Sequence, residues 1–506
     1  MLDGWQVQLR GRSRFHLLEC WLDSFGSHLV PGLPSSRVQE VLSIGREAEW
    51  TVLLRDEDVA RIAHDGQRFV ADRDAVGRLV AATATAAEAC LAAARVCRAA
   101  AADVPSPVAV AALTDFFATY TRLQSLYQGT SPLVTADAEN ELAAVLTAHP
   151  QAPPDALVVL TSGDSRRLRS FQESIEWLRL LLPGGREPIG PGERDRILRQ
   201  HAEAFEYVGA LSDRLGVDSL AICQERWQRD SSRSVDELAD ELRRITSAAQ
   251  KGLQARDRLL EGLDLTERAR GLADNLALLG VTRLAVREEF TRAAHTAYPA
   301  FQAVFETVGD RLDVPDGVRQ LSRAEVVALA AGAPVDLQRV RMRLRFGVCS
   351  IRRGGKELSE GAAARELVTT LAPRRGGIDV SDPPGTLLPG LGVSGSDPVV
   401  GKVRVLPPGQ SREEQLAEAE RLGHDEILVV GMTYPALVPS CARVAGIITD
   451  FGGLTCHAAV IARASGVPCI VGTRVATDRL RTGDLVRLDP VRSVVELLSS
   501  VRPGGE

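Results

Sequence analysis

Five residues near the C-terminus have the types and spacing for group transfer: Gly452, Gly453, Thr455, Cys456 and His457. A neutral imidazole is a nucleophile, and the product of its attack on a phosphate would be a phosphoryl group carried on nitrogen. Hydroxyl and backbone N–H donors suit the charge on such a group, which gives Thr455 a role beside His457. Two adjacent glycines let the backbone approach an anion closely. Cys456 is read as a small side chain fitting the loop.

The elements around these residues are legible. An apolar run from Val444 to Ile448 stops at Asp450, the glycines give a tight turn, and an Ala-rich segment of helical spacing runs from His457 until Gly466 and Pro468 stop it. This strand, turn and helix place His457 in a first helical turn, where unpaired N–H groups and the positive dipole end favour an anion. Arg463 lies six residues on, off the face of His457, and is read as a structural or docking charge.

The pattern Gly452-Gly453-x-Thr455-Cys456-His457-Ala458-Ala459-x-x-Ala462-Arg463-x-x-Gly466-x-Pro468-x-x-x-Gly472 resembles the phosphohistidine, or swivelling, domain of the phosphoenolpyruvate-utilising enzymes. Gly401-Lys-Val-Arg-Val, Asp425-Glu-Ile-Leu-Val-Val, Thr433-x-Pro435 and Gly446-Ile-Ile-Thr-Asp precede it in the family's order, and Gly483-Asp484 and Leu488-Asp489 follow. Two departures stand out. Tyr434 replaces an acidic residue of several relatives, and the tail after Asp489 runs Pro-Val-Arg-Ser instead of through a glycine turn. Residues 75–345 resemble, more loosely, the helical substrate-binding region of rifampicin phosphotransferase-like proteins, through Arg287-Glu-Glu-Phe-Thr-Arg-x-x-His295, Phe301-x-x-x-Phe305-x-x-x-Gly309 and Leu321-Ser-Arg-x-Glu325.

The chain of 506 residues is long enough for several cores. The expected fold is multidomain: a large, mainly α-helical domain followed by a compact α/β swivelling domain. Residues 1–74 read as a mixed segment packed on the helical domain, with short strands at Val52–Arg55 and Arg68–Val70 about a turn at Asp65-Gly66. Residues 75–373 read as helical, with helices over Ala81–Ala102, Ala109–Leu126, Ser165–Leu182, Gly192–Leu215, Ser234–Leu260, Leu265–Leu279 and Thr282–Leu312. A Gly/Pro-rich linker follows over 374–396, and the phosphohistidine domain over 397–500. The linker's composition permits, and the resemblance implies, a domain that swings between two stations.

Within the helical region His201, with Glu203 and Tyr207, is a candidate acid or base for substrate, or a structural histidine; His295 is similar. Arg339, Arg341, Arg343 and Arg345 alternate with apolar residues, on one face of a strand or spread around a helix. Arg343 and Arg345 are taken as candidate substrate-binding residues, against the alternative of a solvated basic face. Glu173 and Glu176 share a helical face. No spacing demands a metal.

Net charge is −6 and no uninterrupted run of about eighteen apolar residues occurs, so neither nucleic acid nor membrane is an expected partner. Eight cysteines without metal spacing read as reduced thiols, and Met1-Leu-Asp-Gly-Trp-Gln lacks a signal pattern, so the expected location is cytoplasmic. No GxxxxGK[ST] and no helix-opening GxGxxG is present. The resemblance, set against a length without room for both a nucleotide-grasping domain and a barrel of about 250 residues, implies that His457 is charged elsewhere. The donor is expected to be ATP with Mg2+ on a separate ATP-grasp protein, with phosphoenolpyruvate the lesser alternative. The acceptor is expected to be a small molecule bound in the helical domain. Two other readings stay open: phosphorylation coupled to dehydration or condensation in a biosynthetic pathway, and a non-catalytic phosphohistidine regulator.

Overall fold

The computed structural model describes residues 5–25, 32–46, 49–153, 155–182, 191–205, 218–312, 317–352, 355–371, 385–407, 410, 412–434, 437–453 and 456–501. In chain order the first helices are α1 (Phe15–Phe25), α2 (Asp56–Ala71), α3 (Arg73–Ala100), α4 (Pro107–Gly129), α5 (Pro132–Ala148), α6 (Ala156–Leu160) and α7 (Arg169–Leu181). Then come α8 (Pro191–Phe205), α9 (Ser219–Asp230), α10 (Val235–Gly262), α11 (Glu267–Val308), α12 (Arg323–Ala330), α13 (Leu337–Arg345) and α14 (Gly361–Leu371). The C-terminal part adds the shorter α15 (Arg412–Glu420), α16 (Val438–Cys441), α17 (His457–Ser465) and α18 (Ala476–Arg479). By internal contacts the chain divides into two units, one of Met1–Ala138, Ala293–Ser381 and Pro408–Arg412, the other of Glu139–Arg292, Asp382–Pro407 and Glu413–Glu506.

The first unit holds an antiparallel sheet of β1 (Trp5–Arg12), β2 (Glu40–Arg46), β3 (Glu49–Arg55), β4 (Phe346–Arg352) and β5 (Gly355–Glu360), ordered β1-β3-β2-β4-β5. One face packs Trp5, Leu42, Leu53, Phe346 and Val348 against Ala364 and Leu367 of α14. Beside it Trp50 stacks on Phe15, ring centroids 4.5 Å apart, and donates from Nε1 to Gln320 Oε1 at 3.0 Å. β4 and β5 fall in the stretch expected to be helical. The interior strand β4 is buried from Phe346 to Ile351, so it lacks the alternation that marks a half-exposed strand.

The expected turn at Asp65-Gly66 is instead the middle of α2. A Cβ on Gly66 would lie 2.0 Å from the Val134 carbonyl oxygen, so this glycine serves close approach to α5 and not a turn. The expected break before Thr282 is also absent, because α11 runs unbroken past Gly280 and contains Pro299. Its residues from Leu272 to Val286 are largely buried, and packing on that scale outweighs the modest helix cost of one glycine. Arg73–Asp103 is long and apolar enough by composition to cross a membrane, its few charges interrupting any plain apolar run. It buries Leu79, Ala86, Cys90, Ala94 and Cys97.

The second unit contains an eight-stranded mixed sheet. Its strands are β6 (Leu387–Pro389), β7 (Leu391–Ser394), β8 (Val399–Leu406), β9 (Glu426–Val430), β10 (Gly446–Thr449), β11 (Cys469–Val471), β12 (Leu485–Asp489) and β13 (Val494–Ser499), in the order β6-β13-β12-β8-β9-β10-β11-β7. The central β8, β9, β10 and β11 are parallel and the flanking pairs antiparallel. Residues 374–384 of the Gly/Pro-rich stretch lie outside the described residues, and the rest of it already forms the edge strands β6 and β7. One face of the sheet packs Leu428, Val430 and Ile447 against Ala458, Ala459 and Ala462 of α17; the other packs Val403, Val429 and Ile448 against Ala476 and Leu480.

Both departures from the family pattern have structural places. Tyr434 is buried among the apolar residues of the α17 face. In the turn after Asp489, Ser493 adopts the left-handed φ of 56° that a glycine would take without cost. Its Oγ accepts from the Gly392 N–H at 3.0 Å, which helps to hold that conformation.

Candidate functional site

The turn between β10 and α17 is built as its glycines require. Gly452 has φ 137°, and a Cβ there would fall 2.6 Å from the Cys456 sulfur. Gly453 is buried and its carbonyl accepts from the Cys456 N–H at 3.1 Å. Cys456 is the N-cap of α17, its Sγ accepting from the Ala459 N–H at 3.5 Å. Burial pushes its thiol pKa up, so it serves as a capping thiol and not a thiolate. Thr455 lies outside the described residues. The helix closes at Gly466, φ 69°, as its position after the Ala-rich run implies.

Upstream of the turn, the buried Asp450 carboxylate accepts from Thr473 Oγ1 at 3.0 Å, from the Thr477 N–H at 3.2 Å and from the Thr477 hydroxyl. Burial raises its pKa, and these donors partly offset that. Asp450 thus ties the end of β10 to the loops after β11.

His457 is the first residue of α17, half-buried at the helix's positive end. Its Nδ1 lies 2.9 Å from the Thr433 hydroxyl. With the proton on Nδ1 donated to Thr433, Nε2 carries the lone pair and is the nucleophilic atom. Burial holds the imidazole pKa well below its ordinary value, and the positive charge of Arg287 acts in the same direction. The ring is therefore neutral at physiological pH.

The same unit supplies helices against α17. Val460 packs with Leu168, Val281 and Leu284, beside Phe171, Leu278 and Ala285. Leu157 and Val158 of α6 pack against the core that includes Ala458, Ala459 and Ala462. Arg463 donates from Nη1 to Ser162 Oγ at 3.1 Å and to the Val158 carbonyl at 3.4 Å, and burial brings its pKa down to about 10. Arg463 is accordingly a structural contact to α6 and its following turn.

The remaining candidates have other surroundings. His201 is buried with Nε2 3.0 Å from Glu173 Oε1, and its ring meets Trp177 and Phe205. Glu173 also accepts from Arg226, which lies over the Trp177 ring at 4.3 Å. Burial alone would raise the Glu173 pKa, but His201 and Arg226 bring it below the usual range. The set sits in an apolar cluster with Leu178, Leu181, Leu198 and Leu238, distinct from the cluster around Val460. Glu203 is exposed, and Tyr207 lies outside the described residues.

Residues 337–345 form α13, so the four arginines are spread around a helix. Arg343 is 1% exposed and is committed to Glu325 at 2.7 Å, Glu360 at 2.7 Å and the Gln320 carbonyl at 2.6 Å. This internal pairing replaces the substrate-binding role considered from the sequence. Arg345 is exposed. Among the described residues no group of three or more His, Cys, Asp or Glu side chains is arranged to hold a metal ion.

The structure thus brings together Gly452, Gly453, Cys456 and His457, and adds Thr433 at the ring and Asp450 as the anchor of the preceding strand. Both stood inside the quoted patterns, but nothing in their spacing from His457 told that Thr433 would meet the ring.

Comparison with known proteins agrees with this geometry. Residues 422–492 match the family model of the PEP-utilising enzyme, mobile domain. Over 109 residues the chain is 43% identical to a probable phosphoenolpyruvate synthase of Archaeoglobus fulgidus, covering 22% of this chain and 13% of the relative. It is 41% identical over the same length to the phosphoenolpyruvate synthase of Pyrococcus furiosus, covering 22% and 12%. A longer match, 27% identical over 315 residues, joins it to the rifampicin phosphotransferase of Streptomyces sviceus, covering 59% of this chain and 35% of the relative. The matched region is thus about an eighth of the synthases and about a third of the phosphotransferase. The C-terminal α/β part of this chain belongs to the mobile-domain family of the phosphoenolpyruvate-utilising enzymes.

Proposed function

We propose that this chain is a phosphotransferase component that carries a phosphoryl group on His457 and delivers it to a small molecule bound in its helical region. The observation that carries the reading is the contact of 2.9 Å between Thr433 Oγ1 and His457 Nδ1, which, with Nδ1 as the donor, leaves Nε2 as the reacting atom at a helix N-terminus. The relatives named phosphoenolpyruvate synthase and rifampicin phosphotransferase support a phosphoryl-transfer role.

The donor in this reading is ATP with Mg2+ on an ATP-grasp partner outside these 506 residues. Nε2 forms a bond to phosphorus as the bond from phosphorus to the leaving phosphate oxygen breaks. The positive charge that develops on the ring is carried by Nδ1–H against the Thr433 hydroxyl. The first-turn N–H groups and Thr455 stabilise the phosphoryl oxygens. In the second half the acceptor hydroxyl or carboxylate oxygen takes the phosphoryl group, a hydroxyl losing its proton, and the neutral imidazole is restored.

The test is a pulse and chase. The full chain is incubated with labelled ATP, Mg2+ and ATP-grasp proteins of the same cell, freed of nucleotide, and mixed with the cell's small-molecule fraction. Label is expected on the chain and then in one small molecule, and His457→Ala should abolish both. Label that enters a small molecule equally well with His457→Ala would overturn the reading.

A further inference from the structure

We infer that Arg474, on the loop after β11, is a phosphoryl-binding residue of the rim that presents His457. This rests on the carrier reading of His457 and assigns to that site a cation of the mobile domain itself. Strands β9, β10 and β11 are parallel neighbours, with Val430 opposite Thr449 and Ile448 opposite Ile470, so the loops that follow them leave one end of the sheet side by side. The carboxyl ends of parallel strands are where such sheets receive ligands. The loop after β9 carries Thr433, the turn after β10 leads to His457, and Arg474 lies just past the end of β11. Neighbouring strands are about 4.8 Å apart, a step that an arginine side chain spans. The last two loops are also joined directly. Arg474 donates its backbone N–H to the Asp450 carbonyl at 2.9 Å, and Thr473 donates to the Thr449 carbonyl at 3.1 Å. A Cβ on Gly472 would lie 3.0 Å from the Gly452 carbonyl oxygen.

Two features set Arg474 apart from an ordinary surface arginine. Residues 431–437, 450–456 and 472–475, the three loops, hold two charged side chains, Asp450 and Arg474. Asp450 is buried and bonded to Thr473 and Thr477, so Arg474 supplies the exposed charge of the rim. Its side chain has no hydrogen bond or ion pair among the described residues. The second feature is its backbone, at a left-handed φ of 65° that glycine takes without cost and arginine does not. Ser493, the other non-glycine with such a φ among the described residues, is helped by its own hydroxyl. Arg474 is held through its backbone N–H, which leaves the guanidinium for a ligand. Strain of this kind collects at functional sites. Beside a phosphoryl group in transfer, a guanidinium meets two oxygens in the geometry it binds best.

Phosphoramidate, a small phosphoryl donor, tests this without any protein partner. The bond from phosphorus to its nitrogen breaks as the bond to Nε2 forms, and ammonia leaves. Loading of the full chain is followed as acid-labile phosphate, beside the thermal unfolding midpoint of each variant. Arg474→Gly relieves the backbone and removes the charge. It is expected to keep its unfolding midpoint yet load about tenfold more slowly, as loss of one charged hydrogen-bond donor implies. Arg474→Lys, and guanidinium ion added to Arg474→Gly, should each recover part of the rate. Arg474→Gly loading at the wild-type rate would overturn the inference, as would a slow Arg474→Gly with neither form of recovery. A wild-type chain that never loads on His457 counts against the carrier reading, and the inference falls with it.

Discussion

The Thr433 hydroxyl stands 2.9 Å from Nδ1 of His457, so a residue 24 positions upstream engages one of the two ring nitrogens, and with Nδ1 as the donor it leaves Nε2 to react. Thr433→Val keeps the shape but removes the oxygen. It is expected to slow phosphorylation of His457 by about tenfold, the worth of one hydrogen bond that fixes a tautomer. Thr433→Ser should retain most of the rate. Initial rates of acid-labile phosphate formation check this.

Gly452 can be no other residue without movement of the turn. At φ 137° a side chain is strained, and its Cβ would meet the Cys456 sulfur at 2.6 Å. Gly452→Ala is expected to destabilise the loop by about 1–3 kcal/mol and to abolish efficient loading of His457. A loading assay with circular dichroism of the same sample separates loss of the loop from loss of the fold.

His201 is paired with Glu173 inside the fold, which favours the structural reading of this histidine. Glu173→Gln takes the carboxylate away from buried His201 and leaves Arg226 with Asp230 at 3.6 Å, and is expected to cost about 1–3 kcal/mol in chemical denaturation. His457 should still take up phosphate in the folded variant. A variant of unchanged stability that fails to pass label to the small-molecule fraction would instead restore His201 and Glu173 to the acceptor site.

Acid lability has a definite source in the first unit. His16 is fully buried among Phe117, Phe301 and Phe305, and burial chiefly, with the charge of Arg14, lowers its pKa from 6.5 to about 3. The unfolded chain therefore binds a proton that the folded chain refuses between these values. Stability is full above pH 6.5 and falls as pH drops, by about 1.4 kcal/mol per unit at most from this group. His16→Leu should flatten the dependence of the unfolding midpoint on pH between 6.5 and 4. An unchanged slope would show that His16 is protonated in the fold.

The C-terminal site was legible because its turn chemistry is local. Gly452, Gly453, Cys456 and Gly466 each act on residues within a few positions, and glycine and capping signals are read at that range. What was not legible is contact at a distance. Gly66 looks like a turn residue until Val134 is seen beside it, and Phe346–Arg352 reads as part of the helical region until β2 pairs with it. Arg343 looks like an anion ligand until Glu325 and Glu360 appear around it. Edge strands β6 and β7 hid within a Gly/Pro-rich stretch because each is short and owes its conformation to pairing with β13 and β11.

The most direct measurement is the location of phosphate on the loaded protein. The full chain, charged by ATP and an ATP-grasp partner and kept alkaline, is analysed by peptide mass spectrometry and by 31P–1H correlation. The account predicts acid-labile phosphate on His457, bonded to Nε2, and none on His457→Ala. Phosphate on Nδ1, or on another residue with His457 unmodified, would contradict it.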